Sequence, residues 1–348
     1  MRAAVYRGVD DVRVEAVETP DIRPGEALVR VEVCGVCGTD LKKIHYGLTP
    51  PPKIFGHETA GTIAAIGAGI TDWQVGDRVA VNHHIPCRRP DCFFCARKAF
   101  AQCPVYKKTG ATAGFEPAGG GFAEFVRVME WCVGGMVRIP EGFPADEASM
   151  IEPLNTCLKG VRMAGVQPGD TVLVIGQGPI GMLFTQLARL AGARVIVTDK
   201  IASRRETALR IGAAFALDPD ADDVPGAVRE LSEGRGADLA IVAVPSARVI
   251  AGAFDHVRPA GKVLLFAQTR LNDPLEVDAG AICMQEKSLI GSYSSDITLQ
   301  DEAAELIFSR NVDVRPLLTH RFELDRIADA IDTAANPRDG SLKVLVTP

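Results

Sequence analysis

Four cysteines crowd into one short segment with the spacing C-x4-C-x2-C-x7-C: Cys87, Cys92, Cys95 and Cys103. Four thiolates this close can close a tetrahedral zinc site with no open position, which is a structural role. Four free thiols are the alternative, because the first gap is unusual. A redox pair at Cys92-x-x-Cys95 is disfavoured, since the segment lacks the strand–helix context of thioredoxin-like motifs. A second set of candidate donors is dispersed. Cys37 sits in Gly35-Val-Cys-Gly-Thr-Asp40, His57 and Glu58 in Phe55-Gly-His-Glu58, and Glu152 in Ile151-Glu-Pro-Leu154. A thiolate, an imidazole and carboxylates suit a zinc ion that keeps one position open for chemistry. Spacing alone does not join residues so far apart, and an isolated cysteine or histidine defaults to a core residue.

A third pattern concerns phosphate. Gly176-Gln-Gly178-Pro-Ile180-Gly181 gives G-x-G-x-x-G directly after the β-branched run 172–175. Gly176 permits the tight turn, Gly178 lets the backbone approach a pyrophosphate, and Gly181 lets a helix pack closely on the strand. The helix N-terminus then faces the phosphates with its partial positive charge. Asp199 follows 18 positions beyond Gly181, where a carboxylate can bond both ribose hydroxyls and repel a 2′-phosphate. NAD is therefore favoured over NADP. Lys200, Arg204 and Arg205 stand nearby; they either stack on adenine, solvate a surface or hold a 2′-phosphate.

These groups need elements to position them. Residues 1–150 read as mainly β, with short β-branched runs at 28–33, 61–66 and 78–81 between Gly/Pro turns. This texture predicts a compact, partly open β-barrel. Apolar residues at 154, 157, 158 and 161 mark a helix, with Pro153 at its first position. From Asp170 the chain alternates buried strands (171–175, 194–198, 239–244, 262–267) with helices (180–190, and one opened by a capping box at Ser203-Arg-Arg-Glu206). That rhythm predicts a doubly wound parallel sheet. A strand at 317–324, a helix at 325–335 and a strand at 342–347 break the rhythm and are expected to return to the barrel.

Composition excludes several classes. The net charge is −6, and there is no basic run or basic amphipathic stretch, which argues against nucleic acid and membrane-surface partners. No apolar run is long enough to span a bilayer. The opening MRAAVYRGVDDVRVE lacks a signal peptide's apolar centre, so a cytoplasmic location is expected. There, the nine cysteines are not expected to form structural disulfides.

Read in order, the Cys37 and His57-Glu58 motifs, Val75-Gly-Asp-Arg-Val79, the four-cysteine loop, Gly120-Gly-Phe-Ala-Glu124, Glu152-Pro153, the glycine motif, Arg315-Pro316 and Ser341-Leu-Lys-Val344 resemble the zinc-containing medium-chain dehydrogenases. Among these the chain is most similar to the sorbitol (polyol) and threonine dehydrogenase branch, because Glu152 stands where classical ethanol dehydrogenases carry a cysteine ligand. The resemblance covers almost the whole chain. It implies an α/β protein with a GroES-like catalytic domain (1–150 and 312–348) interrupted by a Rossmann NAD-binding domain (151–311), and an active site in the cleft between them. It implies catalytic zinc at Cys37, His57 and Glu152, with Glu58 as a direct or exchanging ligand, and about two zinc ions per chain. A homodimer or homotetramer is the expectation for the family.

Two departures stand out. The cysteine loop carries two extra residues between its first two cysteines, so His83 or His84 competes with Cys87 as a ligand. Many relatives have a proton-relaying histidine five positions after the first zinc cysteine; here that position is Lys42, and His45 is the substitute one turn on. The implied reaction is hydride transfer from a secondary alcohol to NAD. Zinc acts as Lewis acid, Thr39 takes the hydroxyl proton, and Lys42, His45 or water relays it. Thr39 is also suited to cap the helix expected near Asp40. Polar residues near the ligands (Lys42, Lys43, Glu58) suit a polyol, sugar derivative or cyclitol. Threonine and simple secondary alcohols are the alternatives. A zinc-free quinone or enoyl reductase and a non-enzymatic cofactor-binding protein are disfavoured by the zinc-ligand set and the glycine motif, and a zinc-bound regulator or nucleic-acid binder by the acidic charge and the absence of a basic stripe.

Overall fold

The computed structural model describes residues 1–106, 119–267, 269, 272–338 and 340–348. The chain forms two compact units. The first comprises Met1–Asn155, Ser294–Arg310 and Val314–Pro348, the second Thr156–Tyr293 and Asn311–Asp313. The return to the first unit thus comes earlier than the expected 312. Hydrogen bonds explain it: Asn155 exchanges side-chain bonds with the Asp296 backbone (3.0 and 2.8 Å) and donates to Gln300 at 2.8 Å. Gln300 also accepts from Asn82 at 3.0 Å. Buried amides this well satisfied fix the segment to the first unit.

The first unit is built on a seven-stranded sheet. Its order is Leu318–Glu323, Lys343–Thr347, Ala27–Gly35, Glu58–Ile66, Arg78–Val81 and Met136–Arg138, with Phe125–Val128 also pairing Ala27–Gly35. A three-stranded sheet (Asp11–Ala16, Arg2–Gly8, Lys53–Ile54) adjoins it through an Ala3–Ala123 bridge. The strands alternate as the β-branched runs require. Val29, Val31 and Val33 of one strand are buried with Val79, Val81, Phe122 and Val346. The final strand does rejoin the N-terminal sheet, pairing antiparallel with Ala27–Gly35 through Leu345–Gly35 and Val346–Cys34.

The second unit is a six-stranded, wholly parallel sheet. Its order is Phe215–Leu217, Arg194–Thr198, Thr171–Ile175, Ala237–Val242, Val257–Leu265 and Ser288–Gly291. Sequence order reverses at Thr171–Ile175, the switch point where such sheets bind ligands beyond the strand carboxyl ends. Val172, Leu173 and Val174 are fully buried, as a continuous apolar run demands of a strand covered on both faces.

Two local expectations need correction. The helix Ala202–Arg210 begins with Ile201 at its N-cap and has no side-chain cap, so Ser203-Arg-Arg-Glu206 is not a capping box. Asp199 Oδ1 instead accepts the Ile201 N–H at 2.8 Å, and the helix starts two residues earlier than the capping box would place it. Pro153 is the third residue of the helix Ile151–Ala164 rather than the first. It is tolerated there because first-turn N–H groups lack intrahelical partners.

Candidate functional site

Cys37 caps the helix Gly38–Tyr46. Its sulfur accepts the Thr39 N–H at 3.5 Å, and the Asp40 carboxylate accepts the Cys37 N–H at 3.2 Å, closing a capping box. The cap is therefore the sulfur and not the Thr39 hydroxyl. The sulfur thus sits at the N-terminal end of the helix, where the free backbone N–H groups point.

His57 and Glu58 lie on the neighbouring chain segment, both buried. His57 Nδ1 approaches Asp40 Oδ1 to 3.2 Å as an ion pair, without hydrogen-bond geometry. Burial opposes charge on this imidazole, but the Asp40 carboxylate and the Cys37 sulfur outweigh it and hold the ring well above its ordinary pKa. A carboxylate beside Nδ1 leaves Nε2 to a metal, as an outer-shell partner does. Glu58 opens its strand opposite Gly35. A Cβ at Gly35 would stand 2.0 Å from Glu58 Oε2, so any side chain there would push the carboxylate out of its place. Lys343, at the start of the last strand, donates to both Glu58 oxygens (2.8 and 2.6 Å) and to the Val36 carbonyl (3.2 Å).

Cys37, His57 and Glu58 each bring a donor atom within 4.8 Å of the others. The fourth expected ligand, Glu152, is outside that group. Its Oε1 lies 3.2 Å from His84 Nδ1, and the His84 ring is 5.7 Å from that of His57. Burial opposes charge on Glu152, yet the His84 hydrogen bond and the nearby His57 and Lys343 hold its pKa below the usual carboxylate value. A set of half-buried thiol and buried imidazole and carboxylate fits zinc, whereas calcium and magnesium take all-oxygen sites.

Of the two relay candidates, His45 turns its Nδ1 to the Asp10 carboxylate. Lys42 is half-buried, and burial pulls its pKa below the ordinary value, with the Cys37 charge acting the other way. Three residues of this site carried no role in the sequence reading. Asp40 and Lys343 stood inside quoted motifs, and His84 was weighed only against Cys87.

In the cysteine lobe all four sulfurs lie within 4.8 Å of one another. Arg88, in the longer first gap, adopts φ 51°, in the left-handed region. Cys87 Sγ is 3.7 Å from Cys95 Sγ, and the Cys87 N–H donates to Cys103 Sγ at 3.4 Å. Burial raises Cys103, but backbone N–H groups of Cys87, Tyr106 and Val105 win and bring its pKa to about 6. The donors fit a closed tetrahedral zinc site; neither His83 nor His84 joins the group among the described residues.

In the second unit Gly176 has φ 91°, and a Cβ at Gly181 would meet the Gly176 carbonyl oxygen at 1.8 Å. Gly178 caps the helix Pro179–Leu190, so Ile180 and Gly181 lie in its first turn. Asp199 Oδ2 accepts the Gln177 N–H at 2.6 Å, which ties the carboxylate to the glycine turn. Arg204 Nη1 is 3.9 Å from the same oxygen. Lys200 pairs with Asp220 and Arg205 with Asp218.

Residues 23–141 match the alcohol dehydrogenase GroES-like domain family, and residues 179–309 match the zinc-binding dehydrogenase family. The chain is 30% identical over 355 residues to sorbitol dehydrogenase of Bacillus subtilis, covering 100% of this chain and 97% of the relative. It resembles the structure of a zinc-binding dehydrogenase from Sinorhizobium meliloti bound to NADP (TM-score 0.90, 30% identity, 100% and 99% coverage). It also resembles a short chain alcohol dehydrogenase from Escherichia coli complexed with NADH (TM-score 0.88, 27% identity, 100% and 99% coverage).

Proposed function

The chain belongs to the zinc-binding alcohol dehydrogenase family, and from that premise we propose that it oxidises a secondary hydroxyl of a polyol, sugar derivative or cyclitol reversibly to the ketone, with NAD as hydride acceptor. The observation that carries this reading is the convergence of Cys37, His57 and Glu58 on one point. When bound, zinc supplies Lewis acidity toward the hydroxyl oxygen and the nicotinamide supplies the redox chemistry. Thr39, on the first turn of the helix that Cys37 caps, takes the hydroxyl proton. Lys42, one turn further, passes it to solvent; its lowered pKa suits a group that must exchange protons. Asp40 orients His57, and Lys343 neutralises Glu58. Lys42 and Lys43 give the surroundings the polarity that a hydroxylated substrate needs.

The test is coenzyme reduction over a panel of polyols, cyclitols, sugar acids, 2,3-butanediol, threonine and short secondary alcohols, with NAD and NADP in parallel and zinc content verified. Activity concentrated on vicinal polyols supports the reading. A zinc-replete protein that reduces neither coenzyme with any alcohol refutes it.

NAD preference rests on Asp199. Asp199→Asn keeps one acceptor for the turn but removes the charge. It is expected to raise the KM for NAD roughly tenfold or more, the weight of a charge-assisted bond, and to narrow the gap to NADP. An unchanged NAD/NADP ratio would show that Arg204 and its neighbours set the choice.

The edge strand Ser288–Gly291 exposes Leu289, and Met284 just before it is 87% exposed. An open apolar edge is a template for pairing, and we assign it to a two-fold contact with a second copy of the chain. Leu289→Arg is expected to shift the protein from dimer or tetramer toward a smaller species in light scattering. No change of mass would place the contact elsewhere.

A further inference from the structure

A continuous set of buried contacts runs from the cysteine lobe to Glu152. Tyr106 lies three residues beyond Cys103, and its N–H bonds the Cys103 carbonyl at 3.0 Å. Its hydroxyl reaches Ser294 Oγ (2.7 Å), Ser295 Oγ (3.1 Å) and the Ser295 carbonyl (3.2 Å), so the phenol is held at both ends. The face of the ring stacks on His84, with centroids 5.5 Å apart and planes 20° from parallel. The His84 backbone N–H is fixed by Asn82 Oδ1 at 2.9 Å, and Asn82 is itself bonded to Gln300 at 3.0 Å. The imidazole thus has little rotational freedom, and it places Nδ1 3.2 Å from Glu152 Oε1.

We propose that His84 is a positioning residue for Glu152, locked in turn by Tyr106, so that the cysteine lobe sets the geometry of the catalytic metal site through one stacked pair. An Nδ1–H donating to Glu152 Oε1 leaves that carboxylate the lone pairs of its other oxygen for a metal. Partners that fix a ligating carboxylate typically affect metal affinity 10–100-fold. This inference rests on the metal centre proposed above and takes Glu152, which lies outside the group of Cys37, His57 and Glu58, as the carboxylate that joins it when zinc is bound.

The experiment uses the full-length zinc protein and reads metal, not turnover. Zinc release from each site is followed by chelator competition, and cobalt replaces zinc at the catalytic site so that its visible absorption reports coordination. His84→Ala is expected to speed zinc loss from the catalytic site about 10–100-fold, to change the cobalt spectrum, and to leave the cysteine-lobe zinc in place. His84→Asn, which keeps an N–H donor, should recover part of the loss. Tyr106→Leu should give a smaller change in the same direction, about 2–10-fold for the lost stacking. In a Glu152→Ala background His84→Ala should have no further effect, because the residue through which it acts is gone.

Equal effects of His84→Ala with and without Glu152 overturn the proposal, as does wild-type behaviour of both His84 variants. Wild-type release from Tyr106→Leu removes the link to the cysteine lobe. Wild-type protein that takes up zinc at the cysteine lobe alone removes the catalytic metal centre itself, a distinct failure read before any variant is made.

Discussion

Cys37→Ser is expected to lower turnover at least about 10³-fold, since the Lewis-acid contribution it forfeits is several kcal/mol and each 1.4 kcal/mol is a factor of ten. Coenzyme binding should stay within about twofold of wild type, because the glycine turn and Asp199 belong to the second unit. The substitution is informative because it separates two roles of one atom. The sulfur caps the helix Gly38–Tyr46 and offers a metal a thiolate. Serine is a better helix cap than most residues, but its hydroxyl is far harder to ionise than a thiol and is a poor zinc ligand. The fold should therefore survive while the site is lost. Zinc analysis, NADH fluorescence titration and steady-state kinetics together check the outcome. Full turnover in a variant verified to lack the catalytic zinc would falsify the mechanism.

Lys343→Met is expected to destabilise the zinc-stripped protein by about 3–5 kcal/mol, the usual cost of leaving a buried charge without its partner. The pair is almost fully buried, at 4% and 2% side-chain exposure, so solvent screening does little to soften the loss. Burial opposes the ammonium charge, but Glu58 and Cys37 overcome it and raise the Lys343 pKa above its ordinary 10.5. A raised folded-state pKa contributes stability that is complete below the unfolded value and lost as pH rises through the folded one. The difference between wild type and variant should thus be flat through neutral pH and shrink only in alkali above 10.5. Urea unfolding across pH measures this. Bound zinc would balance part of the Glu58 charge, so the penalty should be smaller in the metal-loaded protein. Adding Glu58→Gln should restore most of the loss; if it does not, the lysine stabilises the fold by packing rather than by pairing.

The sequence was most informative where a pattern is local. Thr171–Ile175, Arg194–Thr198 and the glycine turn were legible residue by residue, because a buried parallel strand and a phosphate turn each impose their own composition over a few positions. The cysteine lobe was legible as a cluster, but its long first gap left the place of Cys87 open, and only the folded chain shows its sulfur beside the other three. Cys37, His57, Glu58 and Glu152, the first three of which converge, were singled out through a resemblance that orders whole motifs. The residues that orient them were not. Asp40 lies 17 positions from His57, His84 is 68 from Glu152, and Lys343 is 285 from Glu58. Contacts at such separations leave no periodicity to read. The Ser203–Glu206 spacing misled for the opposite reason: it satisfied a local rule, but the helix is capped two residues earlier, at Ile201, whose N–H Asp199 accepts.

The pairing of Glu58 with a strand so far along the chain has a consequence for biosynthesis. At about 5–20 residues per second, a ribosome needs roughly 15–60 s to travel from Glu58 to Lys343. Throughout that interval the Cys34–Gly35 end of the strand Ala27–Gly35 has one flank uncovered, since Leu345 and Val346 are what pair with it, whereas Phe125–Val128 covers Ala27–Arg30. The nascent chain must therefore wait, holding an acidic group that its own fold cannot yet bury and an open strand that other chains can join. Overexpression that outpaces the folding helpers of the cell should reveal this as inclusion bodies, and slower synthesis in a cooler culture should reduce them.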